Sequence, residues 1–183
     1  MTTKGQIIVL SGPPGAGKST VARLLADEGQ LGPATVHLHT DDFWDVIRQG
    51  AVPPFLPEAR RQNETVVGVA ARAAAGYAAG GYAVVVDGVV GPWFVDAYRA
   101  AARADGVAAH YAVLRPDERT TLERGTTRAG HPLTDPGPIL AMYAQFADLG
   151  AYEPHALDTT GLTPEESAEA VLAALGEGRL RLS

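Results

Sequence analysis

Gly12-Pro13-Pro14-Gly15-Ala16-Gly17-Lys18-Ser19 is the stretch that decides how the rest of the chain is read. It fits the pattern G-x-x-x-x-G-K-[ST], and its context is the one that pattern requires. Before it stands a short β-branched run, Ile7-Ile8-Val9-Leu10, closed by Ser11. After it comes helical sequence from Lys18 to about Gly29, with Val21, Leu24 and Leu25 spaced for one buried face. Gly12, Gly15 and Gly17 allow backbone angles that turn successive amide N–H groups inward, and they let a phosphate approach without meeting a Cβ. The helix opening near Lys18 adds the partial positive charge of its N-terminus. Lys18 can reach β- and γ-phosphates, and the Ser19 hydroxyl is placed to ligate Mg²⁺. Thr20 completes the set of residues predicted to surround the phosphates at this loop.

The lysine in this motif is conspicuous because lysine is otherwise nearly absent. Of 15 Lys and Arg residues only Lys4 and Lys18 are lysines. A bias toward arginine would have placed arginine at position 18 too. Crowded phosphates call instead for a compact ammonium on a flexible stem.

Outward from the loop, strand-like and helix-like runs alternate. A second strand is predicted over Thr35 to His39, ending at Thr40-Asp41-Asp42, with a short helix running on to Gln49. Phe43, Val46 and Ile47 share one face of that helix, at spacings of three and four. Val52 to Pro57 is a proline-rich connector, and Pro57 starts a long helix ending near Ala79. Ala83 to Val86 is continuously apolar, as a central parallel strand should be, and is closed by Asp87-Gly88. A helix from about Pro92 to Ala104 and a strand from Ala108 to Leu114 follow. Arg115-Pro116-Asp117 opens another helix that fades at Gly125. Thr126 to Pro138 reads as a loop, Ile139 to Leu149 as a helix, and His155 to Leu157 as a last short strand. Thr163-Pro164-Glu165-Glu166 is a capping-box start for the final helix. Alternating β and α with buried strands predicts a parallel sheet covered on both faces. No repeat and no long linker divides the chain, so one domain over residues 1–183 is expected.

Composition narrows the function classes. The 183 residues carry a net charge of −6 and are 46% hydrophobic. With arginines scattered there is no basic stripe for nucleic acid or an anionic membrane. The absence of cysteine removes disulfide scaffolds, thiolate zinc sites and cysteine nucleophiles. Only four strongly apolar residues follow the N-terminal segment, and Val66 to Val86 contains Arg72 and Gly80-Gly81, so neither a signal peptide nor a membrane span is expected. A cytoplasmic protein is the expectation.

Three kinds of phosphate-loop protein then compete. A GTP switch needs an N-K-x-D guanine reader, and there is no lysine beyond position 18 to supply it. An AAA-type ATPase normally follows the aspartate that closes its apolar strand with a water-activating glutamate; here Asp87 is followed by Gly88. A kinase transferring to a small-molecule hydroxyl needs a carboxylate on a neighbouring strand. Asp41 and Asp42 stand there, past the second strand on the ligand-binding edge. Asp41 lies at the strand mouth and is the preferred base, with Asp42 as its alternative and a substrate contact. Asp87 is expected to hold Mg²⁺ through water or to bind a substrate hydroxyl. Arg124 and Arg128 are four apart in a segment, about 124–138, that reads as a lid, where they can meet the transferring phosphoryl group.

These features together resemble the small phosphate-loop kinases. The resemblance rests on the loop itself, on Thr40-Asp41-Asp42-Phe43-Trp44, on Arg115-Pro116-Asp117, on Arg124 and Arg128, and on Leu157-Asp158-Thr159-Thr160. It is strongest to the chloramphenicol phosphotransferase-like branch, with gluconate and shikimate kinases more distant. It implies a three-layer α/β fold with a five-stranded parallel sheet, ATP-Mg²⁺ as phosphoryl donor, and Asp158 and Thr159 near adenine. Two departures concern the acceptor. The Asp87 segment continues Gly88-Val89-Val90-Gly91 with no second acidic residue, and His131 replaces a further lid arginine. Candidate acceptor-lining residues are Phe43, Trp44, Phe55, Arg60, Trp93 and Phe94. Phe43 is expected in the core, Trp44 and Trp93 against a ring or sugar face, and Arg60 or Arg61 against an acidic group. Aromatic and apolar members outnumber charges, which favours a neutral, partly apolar hydroxyl compound. Antibiotics or other secondary metabolites, sugar acids and activated sugars (as in the zeta-toxin type of kinase) all meet that description.

Overall fold

The computed structural model describes residues 4–127 and 134–183. Five strands form one sheet: β1 (Gln6–Ser11), β2 (Thr35–His39), β3 (Ala83–Asp87), β4 (Ala108–Leu114) and β5 (Ala156–Leu157). Their order is β2-β3-β1-β4-β5, and all four pairings are parallel. The fold is therefore the expected α/β arrangement, a five-stranded parallel sheet with helices on both faces.

Side-chain alternation along the strands builds two cores. Ile7, Val9, Val84, Val86, Tyr111 and Val113 face α3 (Arg60–Ala79) and α4 (Pro92–Asp105). Ile8, Leu10, Val85, Ala112 and Leu114 face α1 (Lys18–Asp27) and the C-terminal helix. The central strands β1, β3 and β4 are buried on both faces, which is why they are apolar at successive positions. Alanines at 70, 71, 74, 75 and 78 are buried on α3 and let that helix lie close against the sheet and α4.

The remaining helices are α2 (Asp41–Asp45), α5 (Glu118–Thr126), α6 (Pro136–Ala144) and α7 (Pro164–Gly176). A 3-10 turn, Pro57–Ala59, leads into α3, and another, Gly150–His155, leads into β5. Two helices depart most from the sequence expectation, α2 and α6, and the latter ends at Ala144 and not at Leu149. α2 stops at Asp45 instead of reaching Gln49, and Val46, expected on its buried face, is 68% exposed. Among the described residues no core meets Val46, and Ile47 is only half-buried, so the apolar spacing does not become a buried face. α6 starts at Pro136, three residues earlier than expected, because Asp135 caps it by accepting from the Gly137 N–H, with Pro136 at the first helical position. The expected loop is correspondingly shorter than Thr126 to Pro138. Its central residues, with Arg128 and His131, lie outside the described residues. The capping box at Thr163 is present as expected: Thr163 accepts from the Glu166 N–H, and Glu166 accepts from the Thr163 N–H. Among the described residues no helix is long and apolar enough to cross a membrane.

Parallel pairing puts every strand's carboxyl end on one edge. The phosphate loop leaves β1 at the centre of that edge. β3 ends beside it at Asp87, and β2 ends next to β3, leading through Thr40 into Asp41.

Candidate active site

The loop between β1 and α1 has the shape its glycines predict. Gly15 and Gly17 both adopt φ of +86°, a region that strains residues with a Cβ. A Cβ on Gly15 would overlap the backbone of α5 at Thr121, so α5 packs directly on the loop. At Gly17 the space a Cβ would fill is open. That open concavity before the helix N-terminus is where a phosphate fits. Lys18 is buried, and its ammonium folds back over the loop to donate to the Pro13 carbonyl at 2.8 Å.

Beside the loop, the Asp87 carboxylate is 0% exposed yet fully served by donors. The Ser19 hydroxyl donates to one oxygen at 2.6 Å. His37 Nε2 lies 2.6 Å from the other, and His39 Nδ1 lies 3.1 Å from both. Burial by itself pushes this carboxyl up, but the bonds from His37, His39 and Ser19 outweigh it and hold it well below the usual carboxylate range. The same bond to Asp87 raises His39 above the ordinary imidazole value, against the opposing effect of its own burial. Neither histidine was singled out in the sequence. The available signal was their spacing: positions 37 and 39 share one face of β2, and His39 pairs in register with Asp87.

The far side of the His39 ring faces Asp41, with Nε2 3.5 Å from the carboxylate. Asp41 is otherwise exposed, and Asp42 is exposed with no ion pair among the described residues. The two aspartates therefore differ in environment, and Asp41 alone is linked to the buried carboxylate. Behind them the Gly88–Gly91 segment is fixed from below. Ser11 Oγ both donates to the Val90 carbonyl (2.8 Å) and accepts from its N–H (2.9 Å), and the Tyr111 hydroxyl donates to the same carbonyl at 2.6 Å.

On the opposite side of the loop a cavity of about 340 Å³ is lined by Gly15, Ala16, Gly17, Thr20, Arg124 and Leu162, among others. Arg124 lies in the last turn of α5 and donates to the Leu162 carbonyl at 3.3 Å. Pro164 and Ser167, at the start of α7, complete this wall. Asp158 and Thr159 do not line it. Asp158 accepts from the Thr160 N–H at 2.9 Å and shapes the turn, and Thr159 is buried. Leu162, Pro164 and Ser167, a few residues further on, line the cavity and were not singled out in the sequence.

The acceptor candidates separate into two groups. Trp44, not Phe43, packs on the core, and its indole N–H donates to Asn63 Oδ1 at 2.9 Å. Asn63 in turn donates to the Pro54 carbonyl at 2.7 Å, while the Gln62 amide exchanges two bonds with the Val52 backbone. The proline connector is thus pinned to α3 next to α2. Arg60 is 86% exposed and paired with Glu64 on its own helix, as a solvated helix face would be. Trp93 is half-exposed, its ring lying over Gly91 and against the edges of Phe94 and Phe146.

The residues present fit Mg²⁺. A hydroxyl and an ionised carboxylate stand side by side at Ser19 and Asp87, and this hard cation takes one or two such protein oxygens together with phosphates and water. No cluster of three or more His, Asp or Glu among the described residues is disposed as a self-sufficient metal cage.

A phosphate loop at the centre of a five-stranded parallel sheet, with a strand-end aspartate beside it, defines a P-loop nucleotide-binding domain. Residues 7–149 match the family model described as an AAA domain, and the chain belongs to that family. No curated protein matches the sequence. Among solved structures the chain is similar to the tunicamycin resistance protein of Deinococcus radiodurans, with 22% identity over 94% of this chain and 96% of that one and a TM-score of 0.63. It is similar to a sugar kinase from Janibacter sp. HTCC2649, with 22% identity over 95% of each chain and a TM-score of 0.68. It is also similar to the APS kinase of Mycobacterium tuberculosis solved with AMPPNP and APS, with 16% identity over 94% of this chain and 98% of that one and a TM-score of 0.68. At these identities the likeness is one of fold.

Proposed function

We propose that this protein is an ATP-dependent kinase that transfers the γ-phosphoryl group of ATP to a hydroxyl of a small molecule. The observation that carries the reading is the arrangement at the strand ends. An exposed carboxylate, Asp41, stands past the end of β2, with β3 between it and the strand that carries the phosphate loop, while the position after Asp87 cannot hold a water-activating glutamate. A side chain at Gly88 would overlap Thr40, which is itself buried. Membership in a family of AAA domains is therefore combined here with a site built for an acceptor other than water. The alternative, a nucleotide-dependent switch that hydrolyses ATP slowly, lacks that support.

In this reading the loop amides and Lys18 bind the β- and γ-phosphates, and Arg124, with Arg128, neutralises charge on the group in flight. Ser19 directly and Asp87 through water would hold Mg²⁺, which would supply neutralisation of the phosphates' negative charge. Asp41 accepts the proton of the attacking hydroxyl. The solved kinases that share the fold support the class of reaction. The chloramphenicol phosphotransferase-like branch remains the favoured one, and its acceptor an antibiotic or related metabolite, a sugar acid or a sugar derivative. Trp93 and the pinned connector supply the apolar surface for such a compound.

The test is a screen of hydroxyl compounds for acceptor-stimulated ADP release, followed by Asp41→Asn. Asn keeps the shape and removes the base, so turnover should fall by roughly 10²–10⁴ with ATP affinity intact. Full turnover in D41N removes Asp41 from the role. A screen without a stimulating compound, together with hydrolysis that responds to a protein partner, establishes the switch instead.

A further inference from the structure

The double contact of His39 has a role that the kinase reading leaves open. Its Nδ1 is held by Asp87, which is itself fixed by His37 and Ser19. Its Nε2 faces the Asp41 carboxylate at 3.5 Å, and Asp41 has no hydrogen bond of its own among the described residues. Asp41 opens a helix of only five residues, none of them fully buried, so the helix alone does not fix the carboxylate. One ring therefore spans the buried, rigid carboxylate and the exposed, loosely held one. A base must stand within hydrogen-bond reach of the proton it takes, and a small displacement is costly.

We infer that His39 is a positioning residue for phosphoryl transfer: anchored on Asp87, it holds the Asp41 carboxylate at the mouth of β2. The inference rests on the kinase reading and extends it to a residue that acts through Asp41. His37, whose one contact of this kind among the described residues is Asp87, has no such reach to the base.

The two ring nitrogens can be separated by substitution. Asparagine places its amide where Nδ1 lies and keeps the bond to Asp87; glutamine places its amide where Nε2 lies and keeps the link toward Asp41. Single-turnover hydrolysis of Mg·ATP, with water in the acceptor's place, gives a rate without a known acceptor. His39→Asn should bind Mg·ATP with wild-type affinity and react about 10- to 100-fold more slowly, the usual loss when an orienting partner is removed. His39→Gln should recover most of that rate. H39N added to D41N should cost nothing further, because the residue acts through Asp41. An ATP-free crystal structure of H39N should show the Asp41 carboxylate turned away from position 39. A wild-type rate in H39N, or the same loss in both backgrounds, overturns the inference. D41N with a wild-type rate removes the base assignment itself, whereas a slow D41N beside a fast H39N removes only the role of His39.

Discussion

A single missing side chain shapes the active edge of the sheet. Asp87 must be followed by a residue that lets Thr40 pack against the β3 end, where the Thr40 N–H donates to the Asp87 carbonyl at 2.9 Å. A methyl group at position 88 would overlap the Thr40 side chain. Gly88→Ala should therefore destabilise the fold by about 1–3 kcal/mol, the usual cost of overpacking. Thr40→Ala in the same chain should return part of that loss. Urea unfolding of the three variants measures this, and a G88A protein as stable as wild type would show that the strand ends can move apart. Residue chemistry was legible in the sequence wherever a motif carried it. Lys18 and Ser19 stand in a motif whose residue types and spacing are set together, and Asp87 closes an apolar strand run. His37 and His39 belong to no such motif. Their meaning depends on Asp87, 50 and 48 positions away, and that proximity exists only through the β2–β3 register.

At the scale of elements, the strands and long helices were readable because burial on both faces leaves few polar positions. What the pattern could not supply was the partner of each apolar face. Phe43, Val46 and Ile47 were expected to face the core, yet Trp44 is the residue that packs there, because α3 meets α2 from that side and offers Asn63 to the indole. Asn63 is thus the joint of three segments: α2, the proline connector and α3. Asn63→Ala should cost about 1–3 kcal/mol, since it strands a part-buried indole N–H and the Pro54 carbonyl. Because the connector is the proposed acceptor wall, the same variant should raise the acceptor KM more than the ATP KM. Limited proteolysis within Val52 to Leu56 should also become faster. Equal changes in both KM values would place the acceptor elsewhere.

For the whole molecule, the sheet order sets what must be held shut far from the chemistry. β5 is only two residues long, and the chain reaches it through the turn after α6. Arg115, at the end of β4, closes that edge. Its guanidinium makes two 2.9 Å bonds to the Glu153 carboxylate and donates to the Phe146 carbonyl at 3.2 Å. Phe146 in turn supports Trp93 on the acceptor side, so the clamp joins the sheet edge to the proposed acceptor wall. The bond to Arg115, with a further one from the Leu149 N–H, holds the Glu153 carboxyl down at about 2. A carboxyl lowered in the folded state stabilises it fully above the ordinary value of 4.5, and that contribution fades as pH falls toward 2. Glu153→Gln removes the charge at every pH. The Tm difference between wild type and E153Q should therefore be constant near neutrality and shrink steadily below about pH 4.5. Glu153 is exposed and Arg115 only part-buried, so the difference at neutral pH should be modest and should decrease with added salt. A Tm difference that does not change with pH would mean that Glu153 holds the turn through its shape and neutral hydrogen bonding, and that the charge on Arg115 is not what closes the edge.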